Sequence, residues 1–134
     1  MAEDKIAGTE KQEPERAKGT ILIVDDEPSI CLILKEFLSL NGFVAHTASV
    51  AEEAIEILNA IAVDLVITNI RMPGMDGLEL TRLIKRKYAS DVIIMTGYHS
   101  YTIEEAGRIG ADDLLHKPAE LVDLLNSVTR ILDR

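Results

Sequence analysis

The sequence predicts an α/β fold, a three-layer sandwich in which helices cover both faces of a parallel sheet. Three observations lead there. From Thr20 onward, short apolar runs alternate with amphipathic stretches. Three of the runs, Ile21-Leu22-Ile23-Val24, Leu65-Val66-Ile67-Thr68 and Val92-Ile93-Ile94-Met95, are almost continuously apolar, as central strands buried on both faces must be. Helix-start signals then follow the runs, so that five strand–helix units alternate over about 115 residues.

Each element has its own local reason. Ile21 to Val24 supplies the first strand. Pro28 suits a first helical turn, and Ile30, Ile33, Leu34, Phe37 and Leu38 then keep helical spacing up to Asn41-Gly42. The second run, residues 43–48, is more mixed and suits a sheet edge. Ser49 with Glu52, Asp76 with Glu79 and Thr102 with Glu105 each have capping-box spacing and open the second, third and fourth helices. Gly107 weakens the fourth helix near its end, because glycine inside a helix costs about 1 kcal/mol relative to alanine. Leu114-Leu115 forms the fifth strand. The last helix covers about residues 120–132, with Leu121, Leu124, Leu125, Val128 and Ile131 on one face.

Residues 1–18 mix acids, bases, Gly and Pro with almost no large apolar side chain. Such a stretch cannot bury enough surface to offset its ordering entropy and is expected to be a disordered tail. The folded domain is expected over residues 19–134. The formal net charge of −9 argues against nucleic acid or an anionic membrane as a direct partner. The single cysteine cannot form an internal disulfide, which fits a cytoplasmic location. Cys31 falls on the apolar face of the first helix and reads as core filler rather than a nucleophile. His46, His99 and His116 are scattered in sequence and lack metal-ligand spacing.

The chemistry-bearing residues sit at strand ends. Asp25 and Asp26 end the first strand, Asn69 the third, Thr96 the fourth, and Lys117 follows the fifth. In an open parallel sheet these ends share one edge, where ligands bind. Alone, Asp25-Asp26 would be helix-capping acids, Thr96 a strand-end threonine and Lys117 a solvated loop lysine. The joint placement is what carries a function. Adjacent carboxylates offer hard oxygen donors to Mg²⁺, which also binds phosphate oxygens.

The segment from Asp64 to Gly77, together with Asp25-Asp26, Thr96 and Lys117-Pro118, resembles the receiver domain of two-component response regulators. The resemblance covers about residues 20–134. It implies the flavodoxin-like (βα)5 sandwich with strand order 2-1-3-4-5. It also implies a phosphoryl switch rather than a classical enzyme: a sensor histidine kinase or histidine phosphotransfer protein would donate to position 69. Asp26 would then bind Mg²⁺ directly and Asp25 through water, with the position-69 side chain and the backbone carbonyl of Arg71 as further ligands. Lys117 would pair with a phosphoryl oxygen and the Thr96 hydroxyl with another. Output would pass in trans through the face from the fourth strand to the fifth helix. A cis Lys117-Pro118 peptide, frequent in that family, is also expected.

Two positions depart from the family pattern. The acceptor aspartate is here Asn69, and a neutral amide is a very poor nucleophile. The switch aromatic three residues before the lysine is here Leu114, which lacks a flat amphipathic ring. An otherwise complete site around Asn69 is explained more simply by an introduced Asp-to-Asn change, locking the unphosphorylated form, than by natural loss. The competing expectation is a natural pseudo-receiver that acts as a phosphorylation-independent interaction module. A metal-dependent phosphatase would need Asp-x-Asp after the first strand, whereas Glu27 stands at the third place. A dinucleotide enzyme would need a Gly-x-Gly-x-x-Gly that is absent there.

Overall fold

The structure is a computed structural model and describes residues 17–134. Most of the stretch read as a tail, residues 1–16, lies outside the described residues. Five strands and five helices alternate: β1 (Thr20–Val24), α1 (Pro28–Leu40), β2 (Val44–Ala48), α2 (Ala51–Ala60), β3 (Leu65–Asn69), α3 (Gly77–Lys87), β4 (Asp91–Thr96), α4 (Ile103–Arg108), β5 (Asp113–His116) and α5 (Leu121–Leu132). All four pairings are parallel, in the order β2-β1-β3-β4-β5, so the mixed second run does form an edge.

The near-continuous apolar strands are explained by two cores. Leu22, Val24, Val66, Val92, Ile94 and Leu114 pack beneath α2, α3 and α4. Ile21, Ile23, Leu65, Ile67, Ile93 and Met95 pack beneath α1 and α5. Successive strand residues thus serve opposite faces, and both faces are covered.

Helix starts follow local chemistry with one correction. Pro28 opens α1 as expected. The Asp76 carboxylate accepts from the Leu78 and Glu79 amides, and Thr102 with Glu105 forms a reciprocal capping box. Ser49 with Glu52 does not. The helix begins a residue later, at Ala51, and Ser49 instead donates through its amide and hydroxyl to Glu53. With the helix entered at Ala51, Glu53 is the side chain that reaches back. In α5, Leu124, Val128 and Ile131 are buried, whereas Leu121 is 36% exposed and lies at the margin of the apolar face.

The far end of β4 and β5 is tied by Asp112. Its carboxylate accepts from the Val92 amide (2.9 Å), Lys85 (3.1 Å) and Arg134 (2.7 Å). Burial opposes the ionised form, but these donors outweigh it and hold the Asp112 carboxyl below its ordinary range. A depressed value contributes stability above the unfolded-state pKa, and that contribution is lost as pH falls through the folded-state value. Asp112→Asn should therefore lower stability at neutral pH by about 1–2 kcal/mol. It should also flatten the acid limb of the stability–pH curve. Denaturant titrations from neutral to acid pH check both; an unchanged acid limb would refute the assignment.

Candidate functional site

Strand order reverses at β1, which pairs with β2 on one side and β3 on the other. The crevice beyond the carboxyl ends of β1 and β3 is where an open α/β sheet presents a ligand site. Asp25 and Asn69 sit there, and the β4 and β5 ends complete the edge, with Thr96 in register with His116. Asn69, Thr96 and Lys117 line one open depression of about 360 Å³, together with Glu27, Arg71, Gly97 and Tyr98.

The two aspartates are in different environments. Asp25 is buried, and both its oxygens are engaged: one accepts from the Glu27 amide (2.9 Å), the other from the Lys117 ammonium (2.9 Å). Asp26 is exposed. Lys117 also lies 3.9 Å from Glu27. A buried carboxylate is costly without a counter-charge, and Lys117 supplies it. The Lys117-Pro118 peptide is cis, as the family resemblance implied.

Asn69 closes on its own loop. Its Nδ2 donates to the Arg71 carbonyl at 2.8 Å. Because a carbonyl only accepts, this contact also sets which end of the amide is the nitrogen. The same carbonyl is the one the family resemblance implied as a metal ligand, and here the Asn69 amide nitrogen already bonds to it.

The loop after Asn69 is shaped by two glycines. Gly74 adopts φ +77°, which side-chain-bearing residues rarely adopt. Gly77 does something the sequence did not reveal. A Cβ there would lie 1.9 Å from the Asn69 carbonyl oxygen, and its amide donates to the Ile70 carbonyl (2.7 Å). Glycine lets the start of α3 press against the backbone that carries Asn69.

Thr96 is buried, and its hydroxyl oxygen accepts from the Tyr98 amide at 3.0 Å. Its carbonyl accepts from the Lys117 amide at 2.7 Å, which ties the ends of β4 and β5. Leu114 is buried in the core shared with Ala106, in register with Ile94. Cys31 is also buried, its thiol donating to the Asp25 carbonyl at 3.3 Å. Burial pushes that thiol up, and the Asp25 carboxylate adds to the effect. A thiol so placed is a poor nucleophile.

Two contacts lie outside the sequence reading. The Arg71 guanidinium stacks over the Tyr98 ring at 5.0 Å, joining the loops after β3 and β4. His99 and His116, separated in sequence, stack with ring centroids 5.3 Å apart. No spacing rule connects residues on different strand ends, and only the sheet register brings them together.

A divalent cation fits the donor chemistry. Asp26, Asp25, the Asn69 side-chain oxygen and the Arg71 carbonyl are all hard oxygens near one strand edge. Among the described residues, no three His, Cys, Asp or Glu side chains cluster for a metal, so amide and backbone oxygens would have to complete such a site. No helix among the described residues is long and apolar enough to cross a membrane.

Residues 21–129 match the family described as response regulator receiver domain. The protein PetR of Rhodobacter capsulatus is 38% identical over 116 residues, covering 85% of this chain and 48% of PetR. A two-component response regulator from Clostridium difficile superposes with a TM-score of 0.81 at 32% identity, covering 87% of this chain and 97% of that one. The response regulator protein TrrA from Thermotoga maritima, solved in complex with Mg²⁺-BeF, gives a TM-score of 0.76 at 36% identity, covering 84% and 98% of the two chains. This chain spans about half the length of PetR.

Proposed function

The chain belongs to the response regulator receiver domain family, and from that membership we propose that position 69 is its phosphoacceptor position and that Asn69 holds the domain unphosphorylated. The observation that carries this reading is the convergence of Asp25, Asp26, Asn69, Thr96 and Lys117 from four strand ends onto one edge. Phosphoryl transfer asks a protein chiefly for positioning and charge stabilisation, and these residues are of the required types.

Each has a role in the proposal. A carboxylate at position 69 would attack phosphorus and become an acyl phosphate; the amide cannot. Lys117 would exchange its contact with Asp25 for one with a phosphoryl oxygen. The Thr96 hydroxyl would turn to another oxygen, giving up its bond from the Tyr98 amide. Leu114 would mark the position of the family's switch aromatic, so that the readout falls on Thr96 and the loop after it. The donor would be a sensor histidine kinase or histidine phosphotransfer protein, and output would pass to a partner protein through the β4 to α5 face. The location would be cytoplasmic.

Asp26 would hold Mg²⁺ directly and Asp25 through water, with the Asn69 side-chain oxygen and the Arg71 carbonyl as remaining protein donors. When bound, the ion would neutralise phosphoryl oxygen charge. Asn69 should weaken this site twice, through its lost charge and its bond to the Arg71 carbonyl. Calorimetry should find weak Mg²⁺ binding that Asp26→Ala abolishes and Asn69→Asp strengthens by about tenfold or more, near 1.4 kcal/mol. Binding indifferent to both substitutions would refute the ligand set.

The function itself is tested on the chain as it stands. With Mg²⁺ and a small acyl-phosphate donor, intact mass should show no phosphoryl addition. An addition mapped to any residue of this edge would overturn the off-state reading. A second reading, a phosphorylation-independent interaction module, is favoured by one observation: Asn69 with Arg71, and Asp25 with Lys117, already satisfy one another.

A further inference from the structure

The loop between β4 and α4 is fastened to the sheet by histidines that the proposed phosphoryl chemistry does not use. His116 is the last residue of β5, and its Nε2 lies 2.8 Å from the Tyr101 carbonyl. A carbonyl only accepts, so Nε2 carries the proton. His99, within the loop, stacks on the same imidazole at 5.3 Å with the rings 14° from parallel. Two further bonds define the closed loop: the Tyr98 amide donates to Thr96 Oγ1 and the Tyr101 amide to the Tyr98 carbonyl. The histidine pair therefore holds the segment that partners the Thr96 hydroxyl and carries Tyr98 against Arg71.

The charges around the pair do not favour two imidazolium ions side by side. His116 shares its sheet face with Leu114, beneath α3 and α4. The charged groups acting on Tyr101 from those elements and the loop before α3 are Glu105, Arg82 and Asp76. Arg71 is turned to Tyr98, and Lys117, next in sequence to His116, to Asp25 with Glu27 beyond. Among the described residues, no carboxylate forms an ion pair with either imidazole. A first proton leaves the bond to the Tyr101 carbonyl intact, since Nε2 already donates. A second places like charges on stacked rings with no bonded anion to offset them.

We propose that His99 and His116 form a proton-operated latch, closed at neutral pH, that releases the loop of residues 97–101 when both rings are charged. Release removes the Tyr98 amide from Thr96 and Tyr98 from Arg71, which alters the β4–α4 surface without any phosphoryl group. The domain thus has an input that Asn69 does not block.

Amide hydrogen exchange on the chain tests this, with rates corrected for the intrinsic effect of pH. Between about pH 8 and pH 5, exchange of the Tyr98 and Tyr101 amides should quicken about tenfold or more, while those of Ile21 to Val24 stay protected. His99→Phe keeps an aromatic ring in the stack but cannot titrate, and should abolish the acceleration. His116→Gln keeps a donor for the Tyr101 carbonyl, cannot titrate, and should abolish it as well. No acceleration in the unsubstituted chain, or acceleration that survives in either folded variant, overturns the latch.

Discussion

Asn69→Asp is expected to convert an inert chain into one that accepts a single phosphoryl group. The substitution supplies a nucleophilic oxygen in the depression that Thr96 and Lys117 line, with Asp25 bonded to Lys117 and Asp26 next to it in the chain. It has a structural cost as well. The Asn69 Nδ2 now donates to the Arg71 carbonyl at 2.8 Å, and a carboxylate oxygen in that place would face the carbonyl with lone pairs on both sides. A third acid would also join Asp25 and Asp26, raising like-charge repulsion. Without metal, the variant should be less stable than the Asn69 form by about 1–3 kcal/mol. Mg²⁺ should reverse part of that loss, because it binds the folded state selectively. Intact mass after treatment with a small acyl-phosphate donor and Mg²⁺ reads the chemistry, and denaturant titration with and without Mg²⁺ reads the stability. A variant that stays unmodified by the donor and by a panel of kinases would remove the receiver mechanism and leave the interaction-module reading.

Gly77→Ala should be the most damaging single-methyl change in the domain. The added Cβ would lie 1.9 Å from the Asn69 carbonyl oxygen and 2.8 Å from its carbonyl carbon, both backbone atoms that cannot rotate away. Either α3 must lift or the end of β3 must shift. Overpacking of this kind costs about 3 kcal/mol or more when the obstacle is backbone. The damage should reach the site, since the displaced carbonyl belongs to Asn69 itself. The Gly77→Ala variant should therefore lose stability and also bind Mg²⁺ more weakly than the unsubstituted chain under conditions where both are folded. By contrast, Gly107→Ala meets no atom within 4 Å and should stabilise α4 slightly. Equal thermal midpoints for the two alanine variants would contradict the close approach at Gly77.

Much of this protein is legible in one dimension because its decisive signals are local. Continuous apolar runs such as Val92 to Met95 announce strands covered on both faces, and the structure buries each of these residues. Pro28, Asp76 and the Thr102–Glu105 pair mark helix starts through bonds that span only a few residues. The polar residues at strand ends are legible for a similar reason: parallel strands place all their carboxyl ends on one edge. That property follows from topology, whichever strands are neighbours. The strand order itself came from resemblance, because periodicity does not say which strand lies beside which.

What only the tertiary structure decided are contacts between chain segments that share no local code. Lys117 could have been a solvated loop lysine; burial of Asp25 is what draws its ammonium inward. Asn69 was legible as a polar residue at a strand end, but its grip on the Arg71 carbonyl depends on the path of the loop that Gly74 and Gly77 permit. Ser49 met Glu53 rather than Glu52 because the three-dimensional entry into α2 starts the helix one residue later. Tyr98 under Arg71, and His99 on His116, arise where the register of β3, β4 and β5 sets loop ends side by side. The chain's local chemistry thus determined the elements and the edge on which function gathers. Packing across the sheet determined which groups are paired there, since burial and approach distance are properties of the assembled fold.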